Sequence, residues 1–177
     1  MAATFVVEDG TGKTDANSYL SENDADTYFD NYDRQGNVVL WDAIADKEAA
    51  LREATQYLDN EYRERWVGTK GSEDQALAWP RRDVFVSDGF LIDSNVIPQE
   101  LKDACAELAL RTDTTTTRLS PDITDPGSIR RTKDEVGPLK TEIEYSGGGK
   151  GPITNIFRII EDLLRSLVVP DGTLERS

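Results

Sequence analysis

Four segments of the chain repeat apolar residues at helical spacing, and this pattern constrains the fold more than any other feature. Positions separated by three and four residues fall on one face of a helix, so each segment can bury one face against the others. The chain is therefore predicted to be mainly α, a small helical bundle. In chain order the apolar positions are Ala25, Tyr28, Phe29 and Tyr32; Ala50, Leu51, Ala54, Tyr57, Leu58 and Tyr62; Leu101, Ala104, Cys105, Leu108 and Ala109; and Ile153, Ile156, Phe157, Ile160, Leu164 and Leu167.

The helix ends are marked by residues that cap or break helices. Ser21 and Asp46 can accept hydrogen bonds from the first free N–H groups of the first two segments. Gly68 is expected to close the second segment, and Pro98 and Pro152 suit the first positions of the last two.

Strict alternation of apolar and charged residues over Leu139–Tyr145 predicts a strand, and Ile129–Val136 is its expected antiparallel partner. A smaller hairpin is predicted over Val84–Ile92, around the turn signal Asp88-Gly89. The expected architecture is a bundle with an inserted β-hairpin and long irregular loops. Its parts are one domain over 1–177, a flexible loop at 112–127, the hairpin at 129–145, a glycine hinge at 147–151 and a C-terminal tail at 168–177.

The segment Gln75–Arg81 fits neither a helix nor a strand. Proline has no N–H and restricts the residue before it, so a helix cannot continue through Trp79-Pro80. We interpret Trp79, Pro80 and Arg81 as a structural anchor. The tryptophan is expected to fasten an irregular connection over 69–95 to the helical core, and the arginine to pair with a carboxylate.

The net charge of −14, from 34 acidic and 20 basic side chains, disfavours general binding to duplex DNA, because phosphates are repelled unless the basic residues are segregated. The chain has no histidine and a single cysteine, Cys105, which lies on an apolar stripe and is expected to be a core residue. Histidine-dependent nucleophilic catalysis is excluded, and a zinc site is nearly so. We expect no catalytic residue, no cofactor, no metal and no enzymatic activity.

Gly10–Thr14 resembles a phosphate-binding loop, but the glycine that such a loop needs five positions before Gly12 is Val7 in this chain. A simple turn is the favoured interpretation. In a second glycine-rich run, Lys150 is followed by Gly151, whereas a phosphate-binding loop has serine or threonine at that position. This run is interpreted as a linker.

One cluster of the sequence mixes basic and aromatic residues. Such mixtures hold single-stranded nucleic acid by stacking and charge. They also arise where arginines pair with carboxylates beside core aromatics, and the overall acidity favours this second interpretation. The residues are Arg63, Arg65, Lys70, Arg81 and Arg82, with Tyr62, Trp66 and Trp79.

No apolar run reaches the roughly 20 residues needed to cross a bilayer, and residues 1–9 lack the pattern of a signal peptide. We expect a soluble protein made in the cytoplasm.

Five motifs occur in an order that resembles a family of tailed-bacteriophage head–tail connector adaptors, which also carries the label DnaT-like single-stranded-DNA-binding protein. The resemblance covers most of the chain, and its specificity lies in the order and spacing of the motifs. It implies a helical adaptor that forms a dodecameric ring in the virion neck. The motifs are VEDGTG (Val7–Gly12), ANSYLS (Ala16–Ser21), QALAWPR (Gln75–Arg81), ELALR (Glu107–Arg111) and VGPLKTEIEY (Val136–Tyr145).

The resemblance implies as partners other copies of the chain, a portal protein and a stopper or tail-completion protein, with packaged DNA passing through without tight binding. Assembly is expected in the host cytoplasm. We predict ring or tail-side contacts at Leu139, Ile143 and Tyr145. Portal docking is predicted for the chain end, at Leu167, Val168, Val169 and Leu174. The alternative function is a single-stranded-DNA-binding replication accessory protein that uses Trp66, Trp79 and the neighbouring arginines.

Overall fold

The computed structural model describes residues 4–33, 36–86, 88–112 and 157–169, and the backbone of 129–135 and 140–145. Within these ranges the chain is mainly helical with small two-stranded sheets, as the sequence predicts. It divides into two compact units, one formed by Met1–Leu119 with Phe157–Ser177 and the other by Ser120–Ile156. The elements are α1 (Glu22–Asn31), α2 (Asn37–Asp42), α3 (Lys47–Glu61), β1 (Thr69–Lys70), β2 (Arg81–Arg82), β3 (Val84–Phe85), β4 (Leu91–Ile92), α4 (Gln99–Thr112), β5 (Ile129–Glu135), β6 (Lys140–Tyr145) and α5 (Arg158–Leu164).

The predicted starts of the first three helical segments are confirmed, the third to within one residue. Ser21 Oγ accepts the N–H of Asp24 at 3.1 Å, and Asp46 Oδ1 accepts the N–H of Ala49 at 2.8 Å. Helix α4 begins one residue after Pro98. Each cap satisfies an N–H that has no partner inside its own helix, which is why the starts can be read from local sequence.

The predicted end of α3 at Gly68 is wrong, because the helix ends at Glu61 and the chain then turns. Gly68 has a φ of 70°, and a Cβ on it would lie 2.3 Å from the carbonyl oxygen of Arg82. The glycine is therefore required for the close approach of β2, a contact between distant parts of the chain.

The core of the first unit lies between α3, α4 and α5. Leu51, Leu58, Leu101, Leu108, Ile160 and Leu164 are all fully buried there. Burial of each such side chain stabilises the fold by about 1.5–3 kcal/mol. Cys105 is a core residue, as predicted, and burial raises the pKa of its thiol to about 12. Among the described residues, no helix is both long enough and apolar enough to cross a membrane.

Both predicted hairpins are present. Val84 pairs with Ile92 in the smaller one, and the larger one pairs β5 with β6 in antiparallel register, with Thr132 opposite Ile143. Tyr145 lies opposite Ile129 at the end of this ladder. The remaining predictions for this half of the chain lie outside the described residues. They concern Leu139, the loop over most of 112–127, the hinge at 147–151, the start of the last helix at Pro152, Leu174 and most of the tail at 168–177.

The chain after α5 runs back along the residues that follow α3. The N–H of Val67 donates to Leu167 O at 3.1 Å, and the N–H of Val169 donates to Arg65 O at 2.7 Å. Leu167 and Val168 are buried, whereas Val169 is partly exposed. Residues 167–169 are thus fastened to the first unit by backbone hydrogen bonds and by burial.

Candidate functional site

The irregular segment Gln75–Arg81 is organised by one buried amide. The Gln75 Nε2 group donates to Leu77 O at 2.9 Å and to Pro80 O at 3.1 Å, and its Oε1 accepts the N–H of Ser72 at 2.7 Å. One side chain thereby supplies hydrogen bonds that a helix or a sheet would otherwise provide, so the segment can be ordered without regular structure.

Arg81 extends the same organisation to the residues after α3. We expected its partner to be a carboxylate, but its hydrogen bonds go to backbone carbonyl groups. The guanidinium satisfies carbonyls that no strand or helix pairs, because its donors are spread in a rigid fork. The acceptors are Val67 O at 2.7 Å, Gly68 O at 2.8 Å, Ala78 O at 3.3 Å and Trp66 O at 3.5 Å.

Trp79 is fully buried and meets Trp66 edge to face, with ring centroids 5.9 Å apart. Its backbone N–H donates to the Tyr19 hydroxyl oxygen at 3.2 Å, and the peptide bond to Pro80 is cis. Trp66 is only 6% exposed. Both indole rings belong to the core, as the favoured interpretation predicted, and the alternative of base stacking on Trp66 and Trp79 is wrong.

Asp59 joins this segment to α3. Its Oδ1 accepts the Tyr19 hydroxyl, and its Oδ2 accepts the N–H of Ala78 at 2.9 Å. Burial raises the pKa of Asp59 above its usual value, although these two hydrogen bonds and the charges of Lys70 and Arg63 act in the opposite direction. Burial and the Asp59 carboxylate also raise the pKa of Tyr19.

A pocket of about 340 Å³ opens where the end of α3 meets β1 and the Ala76–Arg81 stretch. Arg63 is exposed and makes no hydrogen bond or ion pair to the part of the chain that the structure describes. Lys70 donates to Gln75 O at 2.9 Å and keeps its other N–H groups. We call this the Asp59 pocket; it is lined by Asp59, Arg63, Trp66, Lys70, Ala76, Ala78 and Arg81.

The β3–β4 hairpin, which follows β2 in the chain, carries aromatic rings that face solvent. Phe85 is 60% exposed and Phe90 is 73% exposed, and Leu91, the register partner of Phe85, is also exposed. Val84 is buried, so the hairpin is fixed to the core at its base while its tip stands free. The N–H of Val86 donates to Phe90 O at 2.9 Å and closes the turn.

Exposed basic residues adjoin these rings along the chain. In the ladder of β1 and β2, Lys70 lies opposite Arg81 and Thr69 lies opposite Arg82. Asp83 alone separates β2 from β3. Arg82 is exposed and has no hydrogen bond or ion pair within the described ranges. Phe85 and Leu91 are register partners and share one face of the ladder, whereas Phe90 precedes Leu91 at the turn. We define the hairpin surface as the exposed side chains Arg82, Phe85, Phe90 and Leu91.

The structure divides the predicted basic cluster into two groups. Arg65 pairs with Glu161 at 3.3 Å, and the Tyr62 hydroxyl donates to the same carboxylate at 2.8 Å, so these residues join α3 to α5. Arg81 is likewise structural. Arg63, Lys70 and Arg82 remain exposed at the surface. The exposed phenylalanines of the hairpin were not among the residues that the sequence predicted for binding.

The phosphate-loop lookalike is closed by its own chain. The buried Glu8 carboxylate accepts the N–H groups of Gly10 and Gly12 through Oε1, each at 2.9 Å, and that of Lys13 through Oε2 at 2.8 Å. A bound phosphate would need such N–H donors, and here an internal anion occupies them. The prediction of a turn is confirmed.

Replacing Glu8 with alanine is expected to lower the free energy of unfolding by about 3 kcal/mol, because three N–H groups lose an ionised acceptor. Urea denaturation followed by circular dichroism measures the change. Asp15→Ala is the matched control, since Asp15 is exposed, and it should alter stability by less than about 0.5 kcal/mol. Equal effects of the two changes would contradict this account of the loop.

The geometry defines a class, a small helical protein that carries exposed cations, unpaired among the described residues, and a hairpin with exposed phenylalanines. The family model described as "Putative DnaT-like ssDNA binding protein" matches residues 3–176, so the chain belongs to this family. No curated protein and no solved structure matches it.

The family match corrects the expected function. The head–tail connector adaptor predicted from the motifs is wrong, because the family is described by binding to single-stranded DNA, the function that stood as the alternative. The portal docking predicted for Leu167, Val168, Val169 and Leu174 followed from the connector function. So did the ring and tail-side contacts predicted for Leu139, Ile143 and Tyr145.

Proposed function

We propose that the protein binds single-stranded DNA and acts as an accessory protein in replication. The observation that carries the proposal is the family match over nearly the whole chain. The surface chemistry supports it independently. In a chain with a net charge of −14, Arg63 and Arg82 would be expected to find carboxylates, yet both remain unpaired among the described residues.

The binding surface we propose is the hairpin surface, extended towards Lys70 and Arg63. Exposed aromatic rings stack on bases without regard to sequence, and arginine and lysine contact the backbone phosphates. Phe85 and Phe90 supply the rings and Arg82 the adjacent charge. Unpaired bases are required for this contact, because a duplex keeps its bases stacked inside.

The acidity of the chain limits the strength of this binding. Residues 61–85 carry as many basic as acidic side chains, so the local repulsion is weaker than the net charge suggests. Elsewhere the excess of carboxylates repels phosphates. We therefore expect few phosphate contacts and a moderate affinity for single-stranded DNA. The affinity should fall as salt is added, because each phosphate contact releases counterions.

The test is a fluorescence anisotropy titration of a labelled thymine oligonucleotide of about 16 nucleotides, repeated between about 50 mM and about 200 mM salt. Arg82→Ala should reduce the slope of log affinity against log salt by about 0.7, the value for one lost phosphate contact on a single strand. Arg158→Ala is the control. Arg158 is also exposed but lies on α5, outside the hairpin surface, so its loss should leave the slope unchanged. Identical slopes for Arg82→Ala and the unaltered protein would contradict the proposed surface.

A further inference from the structure

The Asp59 pocket combines a hydrogen-bond acceptor with cations. Asp59 lines the same wall as Arg63 and Lys70, and the charges of both basic residues act on its carboxylate. A pocket for phosphate alone would not place a carboxylate among its cations, because like charges repel. This mixture fits a ligand that carries an anion and a donor group together.

The carboxylate of Asp59 has capacity beyond its two internal hydrogen bonds. A carboxylate offers about four lone-pair positions. Tyr19 and Ala78 occupy one position on each oxygen. An acidic side chain recognises the exocyclic amino group of a base, as it does for cytosine N4.

The cations of the pocket differ in what they can still bind. The donors of Arg81 are engaged with carbonyl groups, so it contributes fixed positive charge to the wall. Arg63 has no hydrogen bond or ion pair to the described residues, and Lys70 donates one hydrogen bond to them, to Gln75 O. These two side chains can hold a phosphate.

The size of the pocket suits one nucleotide rather than a length of strand. Its volume of about 340 Å³ falls at the lower end of ligand pockets.

Trp66 also lines the pocket. Its Nε1 has no hydrogen-bond partner among the described residues, although a buried indole N–H usually has one.

We propose that the Asp59 pocket takes one nucleotide of a bound single strand, with a base that carries an exocyclic amino group. Asp59 accepts the amino group, and Arg63 and Lys70 hold the adjoining phosphate. This inference rests on the proposed single-stranded-DNA binding and adds a preference among bases to it. The stacking at the hairpin surface supplies no such preference, since every base has a π-face.

The test compares cytosine and uracil oligodeoxynucleotides of equal length, which differ at C4 between an amino group and a carbonyl. The unaltered protein should bind the cytosine strand about 10-fold more tightly, within the discrimination that a good base contact provides. Asp59→Asn should reduce this preference to less than about twofold, because an amide both donates and accepts. Asp83→Asn is the control, since it removes the same charge beside the hairpin surface and should leave the preference intact.

Arg63→Gln tests the phosphate contact separately from the base contact. Arg63 is exposed and unpaired among the described residues, so the variant should fold. It should weaken binding of the cytosine and uracil strands by the same factor, about fivefold, and leave the preference unchanged. Equal affinity of the unaltered protein for the two strands would overturn the inference while leaving single-strand binding intact. Absence of binding to either strand would overturn the proposed function itself. The comparison on the unaltered protein decides the inference even if Asp59→Asn does not fold.

Discussion

Replacing Phe85 and Phe90 together with alanine is expected to weaken single-stranded DNA binding about 100-fold. Each stacked base contributes about 1–3 kcal/mol through an aromatic side chain, and both rings are more than half exposed. The fold should be unaffected, because the hairpin is fixed to the core by Val84 and not by these rings. Anisotropy titration of a labelled single strand measures the loss, and thermal unfolding confirms that the variant is folded.

The matched control is the double change Val39→Ala and Leu40→Ala on α2. These side chains are 72% and 57% exposed, so their removal takes away a similar apolar area from another face. The control should bind single strands with unchanged affinity. If both double variants lost affinity equally, or if the phenylalanine variant lost less than about threefold, stacking at the hairpin surface would be ruled out.

The second large effect concerns stability. Arg81→Ala is expected to lower the free energy of unfolding by about 3 kcal/mol, because four carbonyl groups around the pocket lose a charged donor. The midpoint of urea denaturation should fall accordingly. Binding to single strands should also weaken at temperatures where the variant is still folded, since Arg81 holds the residues that frame the Asp59 pocket.

The neighbouring arginine provides the control for this change. Arg82→Ala removes the same side chain from an exposed position with no hydrogen bond or ion pair in the described ranges, and it should alter stability by less than about 0.5 kcal/mol. Arg81→Ala should therefore lower stability as well as DNA affinity, whereas Arg82→Ala should lower DNA affinity alone. A comparable loss of stability in both would remove the structural role assigned to Arg81.

Helix starts could be predicted because their causes are local. Ser21 and Asp46 accept hydrogen bonds from N–H groups in the first turn of their helices, so donor and acceptor lie close together in the sequence. The end of α3 could not be predicted in this way. The helix ends at Glu61, whereas Gly68 lies beyond it and is required for the approach of Arg82 from a distant part of the chain.

The proposed binding surface could be predicted only in part from the sequence, for a physical reason. A mixture of arginine and tryptophan has the same appearance in sequence whether the rings face solvent or the core. Trp66 and Trp79 are buried, and the exposed rings on the β3–β4 hairpin are those of Phe85 and Phe90. The sequence predicted their hairpin, but its β-alternation does not say that the tip stands clear of the core.

Charge alone could not choose between the two functions. A high negative charge suits a connector channel, because its walls repel the DNA that passes through. An acidic protein can also bind single-stranded DNA through a local basic surface. The motif order identified the family label, whereas the connector role attached to it was wrong. The family match separates the alternatives, and Arg63 and Arg82, which are unpaired among the described residues, support the proposed binding.

The most direct test of single-strand binding is a titration of the unaltered protein with one labelled oligonucleotide, first alone and then annealed to its complement. We predict a dissociation constant in the micromolar range for the single strand at about 50 mM salt, weaker binding at about 200 mM, and at least about tenfold weaker binding to the duplex. No binding to the single strand at the lower salt concentration, or equal affinity for single strand and duplex, would contradict it.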